Sequence, residues 1–213
     1  MKKIFSFITL FIAFTLANAQ TNSKAETLLN EVSKKMSAFE NMYIKFNYVL
    51  ENKEVDIKQE TNGIIYTQAD KYNLSFMDTS FIYDGTNTYV IANEDEEVNI
   101  IDGSSDEDML NPTKLLFFYK EGFTYLWQES KTVNGKPIQN IKLTPIDTNS
   151  ESSHFILEIN TDTKIIVSIS EVGNNSTVTT FKIQEFKANQ DISKNLFIFD
   201  ESKYRKENYT INK

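Results

Sequence analysis

Two hydrophobic periods take turns along this chain. Between Ser23 and Phe39, Leu28, Val32, Met36 and Phe39 recur at steps of three or four with Leu29 beside them, the apolar stripe of an amphipathic helix. Ser23 stands in the N-cap place, with Glu26 three residues on as in a capping box. From Asn41 the period becomes two. In "NMYIKFNYVL" one face collects Met42, Ile44, Phe46, Tyr48 and Leu50 while Lys45 and Asn47 take the other, and "KYNLSF" repeats this with Tyr72, Leu74 and Phe76. Both read as strands with one buried face.

Further strands are expected over 57–67, 80–83, 88–92, 98–101, 123–128, 139–144, 155–160, 165–172, 177–186 and 196–199. Turn signals separate them: "DGTN" from Asp84, "NGKP" from Asn134, "NTDTK" from Asn160 and "GNN" from Gly173. Twelve short strands at this spacing make one large antiparallel sheet or an incomplete barrel. The rhythm breaks once. Pro112 suits the first turn of a short helix reaching Lys120, with Leu115, Leu116, Phe118 and Tyr119 on one side, and Gly122 ends it before Phe123, Tyr125 and Trp127 alternate onto a strand face. No repeat or linker divides the chain, so residues 20–213 are read as one domain.

Residues 1–19 are set apart by composition. Lys2 and Lys3 precede an apolar run from Ile4 to Leu16, and Ala17-Asn18-Ala19 supplies a small-residue cleavage site, the layout of a secretory signal peptide. An exported chain with no cysteine has no disulfide frame, no thiolate site and no acylated cysteine of its own. The formal charge of −8 grows more negative once the two lysines leave, which argues against nucleic acid and anionic headgroups as partners.

The catalytic inventory is thin. The single histidine, His154, follows "ESS" without a G-x-S-x-G neighbourhood, and the six glycines form no phosphate loop or dinucleotide fingerprint. Acidic runs at Glu94–Glu97 and at Asp102, Asp106, Glu107 and Asp108 offer oxygen ligands but lack the calcium-loop order, so they read as solvated loops. A glycosidase pair drawn from Glu158 with Glu171 or Glu185 competes with their fit to polar strand positions. No enzyme, metal or cofactor is expected. The apolar inventory is richer: 16 Phe and 10 Tyr, many on strand faces under amphipathic helices. Spacing alone favours core over ligand cavity for these rings.

The order of segments resembles the LolA family of periplasmic lipoprotein carriers. The likeness rests on the first helix, "YIKFNYVL", Gly63 leading into "YTQADKYNLSF", Asp84-Gly85-Thr86 before Tyr89, the acidic stretch running into "NPTKLLFFYKEGFTYLW", Leu143 to Pro145 as "LTP", and the closing Phe197, Phe199 and Asp200, and it spans residues 23–209. The resemblance implies an unclosed antiparallel β-barrel with a helical lid over a hydrophobic cavity. It implies a monomeric periplasmic carrier that receives triacylated lipoproteins from an inner-membrane ABC transporter and brings them to the outer membrane, where a receptor takes them. The cavity would be lined by Phe46, Tyr48, Leu74, Phe76, Tyr89, Leu115, Phe118, Phe123, Tyr125 and Trp127, with Leu28, Val32 and Met36 on the lid.

Two departures stand out. Family members often carry a basic residue before a proline at the end of the Gly-led strand, an arginine that bonds to the lid in some, where this chain has Gln68-Ala69-Asp70. Many carry a tryptophan where this chain has Tyr89. The alternatives are an exported module of the same fold that binds a lipid or other apolar ligand without shuttling lipoproteins, and, ranked last, a hydrolase.

Overall fold

A computed structural model describes residues 22–103 and 116–212. One α-helix, α1 (22–37), precedes β1 (Asn41–Asn52), β2 (Ile57–Gln68), β3 (Lys71–Phe76), β4 (Thr79–Tyr83), β5 (Asn87–Ala92) and β6 (Glu97–Asp102). Then follow a 3-10 turn (Phe118–Lys120), β7 (Phe123–Val133), β8 (Lys136–Pro145), β9 (Ser152–Asn160), β10 (Ile165–Gly173) and β11 (Val178–Ala188). A second 3-10 turn (Lys194–Phe197), the short helix α2 (Glu201–Lys206) and β12 (Thr210–Asn212) end the chain. The strands form one unclosed sheet in the order β12-β6-β5-β4-β3-β2-β1-β11-β10-β9-β8-β7. The mainly β architecture expected from the alternating segments is therefore present. The expected signal peptide, and the expected second helix as far as residue 115, lie outside the described residues; the part within them, Phe118–Lys120, is a 3-10 turn.

The chain divides into two compact units, residues to 36 with 119–178, and 37–118 with 179–213. In the first, β7 to β10 pair antiparallel, with register shifts between Trp127 and Ser130, Ile166 and Ser168, and Val172 and Gly173. Trp127, Ile141, Leu157 and Ile169 form one cross-strand row, and Tyr125, Leu143, Phe155 and Glu171 the next. Ile141, Leu143, Leu157 and Ile159 are fully buried on this face, each contributing about 2 kcal/mol of transfer free energy. Helix α1 supplies the matching stripe, with Ala25, Leu28, Leu29, Val32 and Met36 buried at its 3.6-residue period. Its outer side is tied down by Lys164 Nζ, 2.7 Å from Glu31 Oε2. Ser23 lies one residue inside the helix, its carbonyl accepting from the Thr27 hydroxyl at 2.8 Å, so it is not the cap the sequence suggests.

Strand β7 runs on past Gln128 because a bulge between Trp127 and Ser130 lets it continue pairing with β8. The buried Gln139 spans the bulge: its Nε2 donates to the Gln128 carbonyl at 2.7 Å, and its Oε1 accepts from Ser130 Oγ at 2.6 Å.

In the second unit β1 through β6 pair antiparallel and β12 joins β6 in parallel. Here both faces of the sheet carry apolar residues. One holds Met42, Ile44, Phe46, Ile65, Tyr72 and Leu74. The other holds Ile82, Ile91 and Val98, packed by Tyr89, Ile100, Phe199, Tyr204, Tyr209 and Ile211. The second cluster exists because the C-terminal segment returns over β4 to β6: Asn73 Nδ2 donates to the Leu196 carbonyl at 2.7 Å, Phe197 is buried, and Asp200 caps α2 by accepting from Lys203 N–H. The strand expected at 196–199 does not form: Leu196 and Phe197 close a 3-10 turn started by Ser193, whose side chain accepts from Asn195 N–H, and Ile198 follows as its extended C-cap.

Candidate apolar-ligand site

Alternation places Phe46 and Tyr48 on one face of β1, and the β2 register sets Gly63 opposite Phe46. Gly63 is also opposite Phe76 on β3, so the two phenylalanines meet across a residue with no side chain, their centroids 5.7 Å apart. Tyr48 contacts Phe76 edge-on at 5.2 Å, and Phe181 of β11 completes the group at 5.8 Å from Phe46 and 5.1 Å from Tyr48. Four rings thus share a patch with centroid spacings and tilts in the favoured aromatic range. Phe46 is buried, while Tyr48, Phe76 and Phe181 are only half-buried. Leu74 extends the same face, opposite Ile65.

Tyr89 does not join them. The β3–β4–β5 registers put it on the other face, opposite Ile82, where it stacks on Phe199 at 4.5 Å and its hydroxyl donates to Asp84 Oδ2 at 3.0 Å. Residues 89–91, Tyr-Val-Ile, are apolar on both sides, the sign that both faces of β5 are covered, but only the register of the four-residue turn before it decides which side Tyr89 takes. Phe118 is half-buried at the start of its 3-10 turn, and Leu115 lies outside the described residues.

Phe123, Tyr125 and Trp127 belong to the other unit and share one face of β7. Phe123 meets Phe155 edge-on at 5.5 Å, and the Tyr125 hydroxyl donates to the carbonyls of Tyr119 at 2.8 Å and Lys120 at 3.1 Å, fastening the 3-10 turn to the strand. Burial, with Glu26 and Glu121 nearby, raises the Tyr125 phenol. Burial raises that of the fully enclosed Tyr119 further, against the opposing effect of the Ser33 hydroxyl on α1. Both phenols are therefore neutral at any physiological pH. Leu28, Val32 and Met36 are buried within this same unit.

The residues weighed for catalysis have structural partners. Among the described residues His154 hydrogen-bonds its neighbour Ser153 at 3.1 Å, and its imidazole is lowered by burial and by Lys142. Glu158 pairs with Lys131 at 2.5 Å, Glu171 accepts from the Ser152 hydroxyl, and Glu185 pairs with Lys187 at 2.7 Å. Phe181 and Phe155 are the site residues that sequence reasoning missed. Phe181 is hidden because β11 breaks alternation: Phe181 meets Phe46, whereas Lys187, of the same parity, lies over Tyr43 on the other face of β1.

No family model matches the chain, and no curated protein matches it. Solved structures do. It is similar to an uncharacterized conserved protein from Thermus thermophilus, at 9% identity over 88% of this chain and 98% of that one, with a TM-score of 0.55. It is similar to the lipoprotein LppX of Mycobacterium tuberculosis, at 13% identity over 81% and 98%, with a TM-score of 0.52. The LolA superfamily protein NE2245 of Nitrosomonas europaea gives 8% identity over 83% and 98%, with a TM-score of 0.41. At such identities the likeness is one of fold, shared with the Thermus thermophilus protein and with LppX.

Proposed function

We propose that the protein is an exported, periplasmic, monomeric carrier that holds the acyl chains of triacylated lipoproteins and conveys them from an inner-membrane ABC transporter to the outer membrane or a receptor there. The observation that carries this reading is the ring patch of Phe46, Tyr48, Phe76 and Phe181, three of whose rings stay half-exposed beside a glycine that leaves the sheet bare beneath them. A core would cover such rings. A surface that receives hydrocarbon leaves them open until it is loaded.

The physical need is large. Three acyl chains of about 15 methylenes, at about 0.8 kcal/mol each, represent roughly 36 kcal/mol of apolar transfer, so they do not cross water unescorted. Carriage breaks no bond, and in this reading the protein is not an enzyme. The Gln68-Ala69-Asp70 turn, with no basic latch, favours a second reading in which the same face holds a lipid or other apolar ligand without passing it on.

Native mass spectrometry of protein isolated from its own periplasm separates the readings: bound triacylated polypeptide supports the carrier, bound free fatty acid or glycolipid the second. In lipoprotein release from spheroplasts, Tyr48→Glu and Phe76→Glu are expected to abolish release while the far-ultraviolet spectrum stays unchanged. Undiminished release would remove the ring patch from the mechanism.

A further inference from the structure

Strand β2 outruns one of its neighbours. It pairs with β1 along its whole length, Ile57 to Gln68, but β3 meets it only from Gly63 onward, because β3 ends at Phe76 and turns back through Met77 and Asp78. Among the described residues, 57–62 have a strand on the β1 side and none on the other. Successive residues of a strand present their N–H and C=O groups to alternate sides, so half of those in this stretch face an open edge. In the corner where β3 stops lies a cavity of about 390 Å³: Lys45, Asn62, Ser75 and Ser80 wall it from the sheet face opposite Phe46, and Gly63, Phe76 and Met77 form its edge.

Two features identify the occupant. The first is continuity: Gly63 and Phe76 edge the corner and also belong to the ring patch. A lipoprotein's acyl chains are joined to the N-terminal residue of its polypeptide. With the chains among those rings, the polypeptide must leave past Phe76 and Gly63, which is where the open edge begins. The second is chemistry: the side chains along the edge after Ile57 are Lys58, Gln59, Glu60, Thr61 and Asn62, polar and mostly exposed, so what the stretch offers an incoming chain is its main chain. Main-chain pairing is blind to sequence, as a carrier of many cargoes requires.

We propose that the first residues of the cargo polypeptide after its acylated end add as a strand to the open edge of β2 at 57–62, a length of about 20 Å. This rests on the carrier reading above. The pairing anchors the peptide while the hydrocarbon is buried, and excludes free fatty acids from full affinity because they bring no backbone.

The test uses the signal-free full chain and synthetic triacylated lipopeptides carrying two or eight residues after the cysteine. The eight-residue probe is expected to bind about tenfold more tightly than the two-residue probe and to slow amide exchange in residues 57–62 about tenfold. N-methylation at alternate residues of the eight-residue probe gives two isomers. One is expected to lose both effects and the other to keep them, since only one side of an added strand faces β2. Equal affinity of the two probes with no protection of 57–62 would overturn the edge pairing and leave the carrier reading standing. Failure of both lipopeptides to bind would overturn the carrier reading, and the edge pairing with it.

Discussion

The tip of the Phe46 ring lies over Gly63 so closely that a Cβ built on the glycine would sit 2.3 Å from Phe46 Cζ. The backbone of Gly63 needs no left-handed conformation, so the constraint is purely steric. Gly63→Ala is expected to push Phe46 out of its place between Phe76 and Phe181 and to cost about 1–3 kcal/mol, the usual scale of overpacking. Urea denaturation gives the loss, and a weakened near-ultraviolet signal shows that the rings have moved. An unchanged midpoint would mean that the ring yields freely and that the patch is not held by the glycine.

The turn between β3 and β4 is made by Met77 and Asp78, both with positive φ, 49° and 60°. A two-residue hairpin turn of this form favours Asn-Gly, and a methionine there is both strained and exposed. Replacing the pair by Asn-Gly is expected to stabilise the chain by about 1 kcal/mol without altering the step at which β2 outruns β3. Thermal unfolding reads the gain. A lowered midpoint would show that Met77 makes contacts worth more than the strain it carries.

Asp84 organises the turn before β5. Burial works to raise its carboxyl, but the backbone N–H groups of Asn87 and Thr86, each at 2.8 Å, the Tyr89 hydroxyl and nearby Lys71 outweigh it and hold the group below the usual carboxylate range. A depressed folded-state value means stability that is present above the unfolded carboxylate value near 4 and is lost as the pH falls through the folded one. Asp84→Ala should therefore cost about 1 kcal/mol at pH 7 and progressively less below pH 4, as the wild-type advantage disappears. Denaturant midpoints at pH 7 and pH 3 check this; an equal loss at both would assign the effect to the turn backbone and not to the charge.

Much of this is readable from the chain because β1 and β3 each cover one face with apolar and the other with polar residues, and a period of two then fixes strand and face together. Helix α1 is equally legible from its stripe. Reading fails where distant segments intervene. The polar end of β7 looks like a loop, and only its pairing through a bulge beside Gln139 makes it strand. Residues 196–199 alternate like a strand, yet the Ser193 cap and the packing of Phe197 wind the first two of them into a 3-10 turn. The family resemblance puts Tyr89 with the cavity rings, and nothing local announces that residues more than a hundred positions later cover the opposite face of β5. Phe181 escapes notice for the converse reason, that its strand departs from strict alternation.

That returning segment provides the sharpest test of the second core. Phe199 stacks on Tyr89 at 4.5 Å and on Tyr204 at 5.2 Å, with interplanar angles of 18° and 16°, so it is the middle ring of a run that Tyr209 continues edge-on. Phe199→Ala should cost about 3 kcal/mol, since it removes a packed ring and leaves Ile82, Ile91 and Val98 less covered. Most of that loss is transfer and cavity cost, not ring pairing, and a double-mutant cycle separates the two. Tyr89→Leu and Phe199→Leu, singly and together, are expected to show a coupling of about 1 kcal/mol, the excess that stacked aromatic pairs have over their buried area. Additive losses would mean that the C-terminal segment is held by Phe197 and by the bond from Asn73 to the Leu196 carbonyl, and that the stack only fills space.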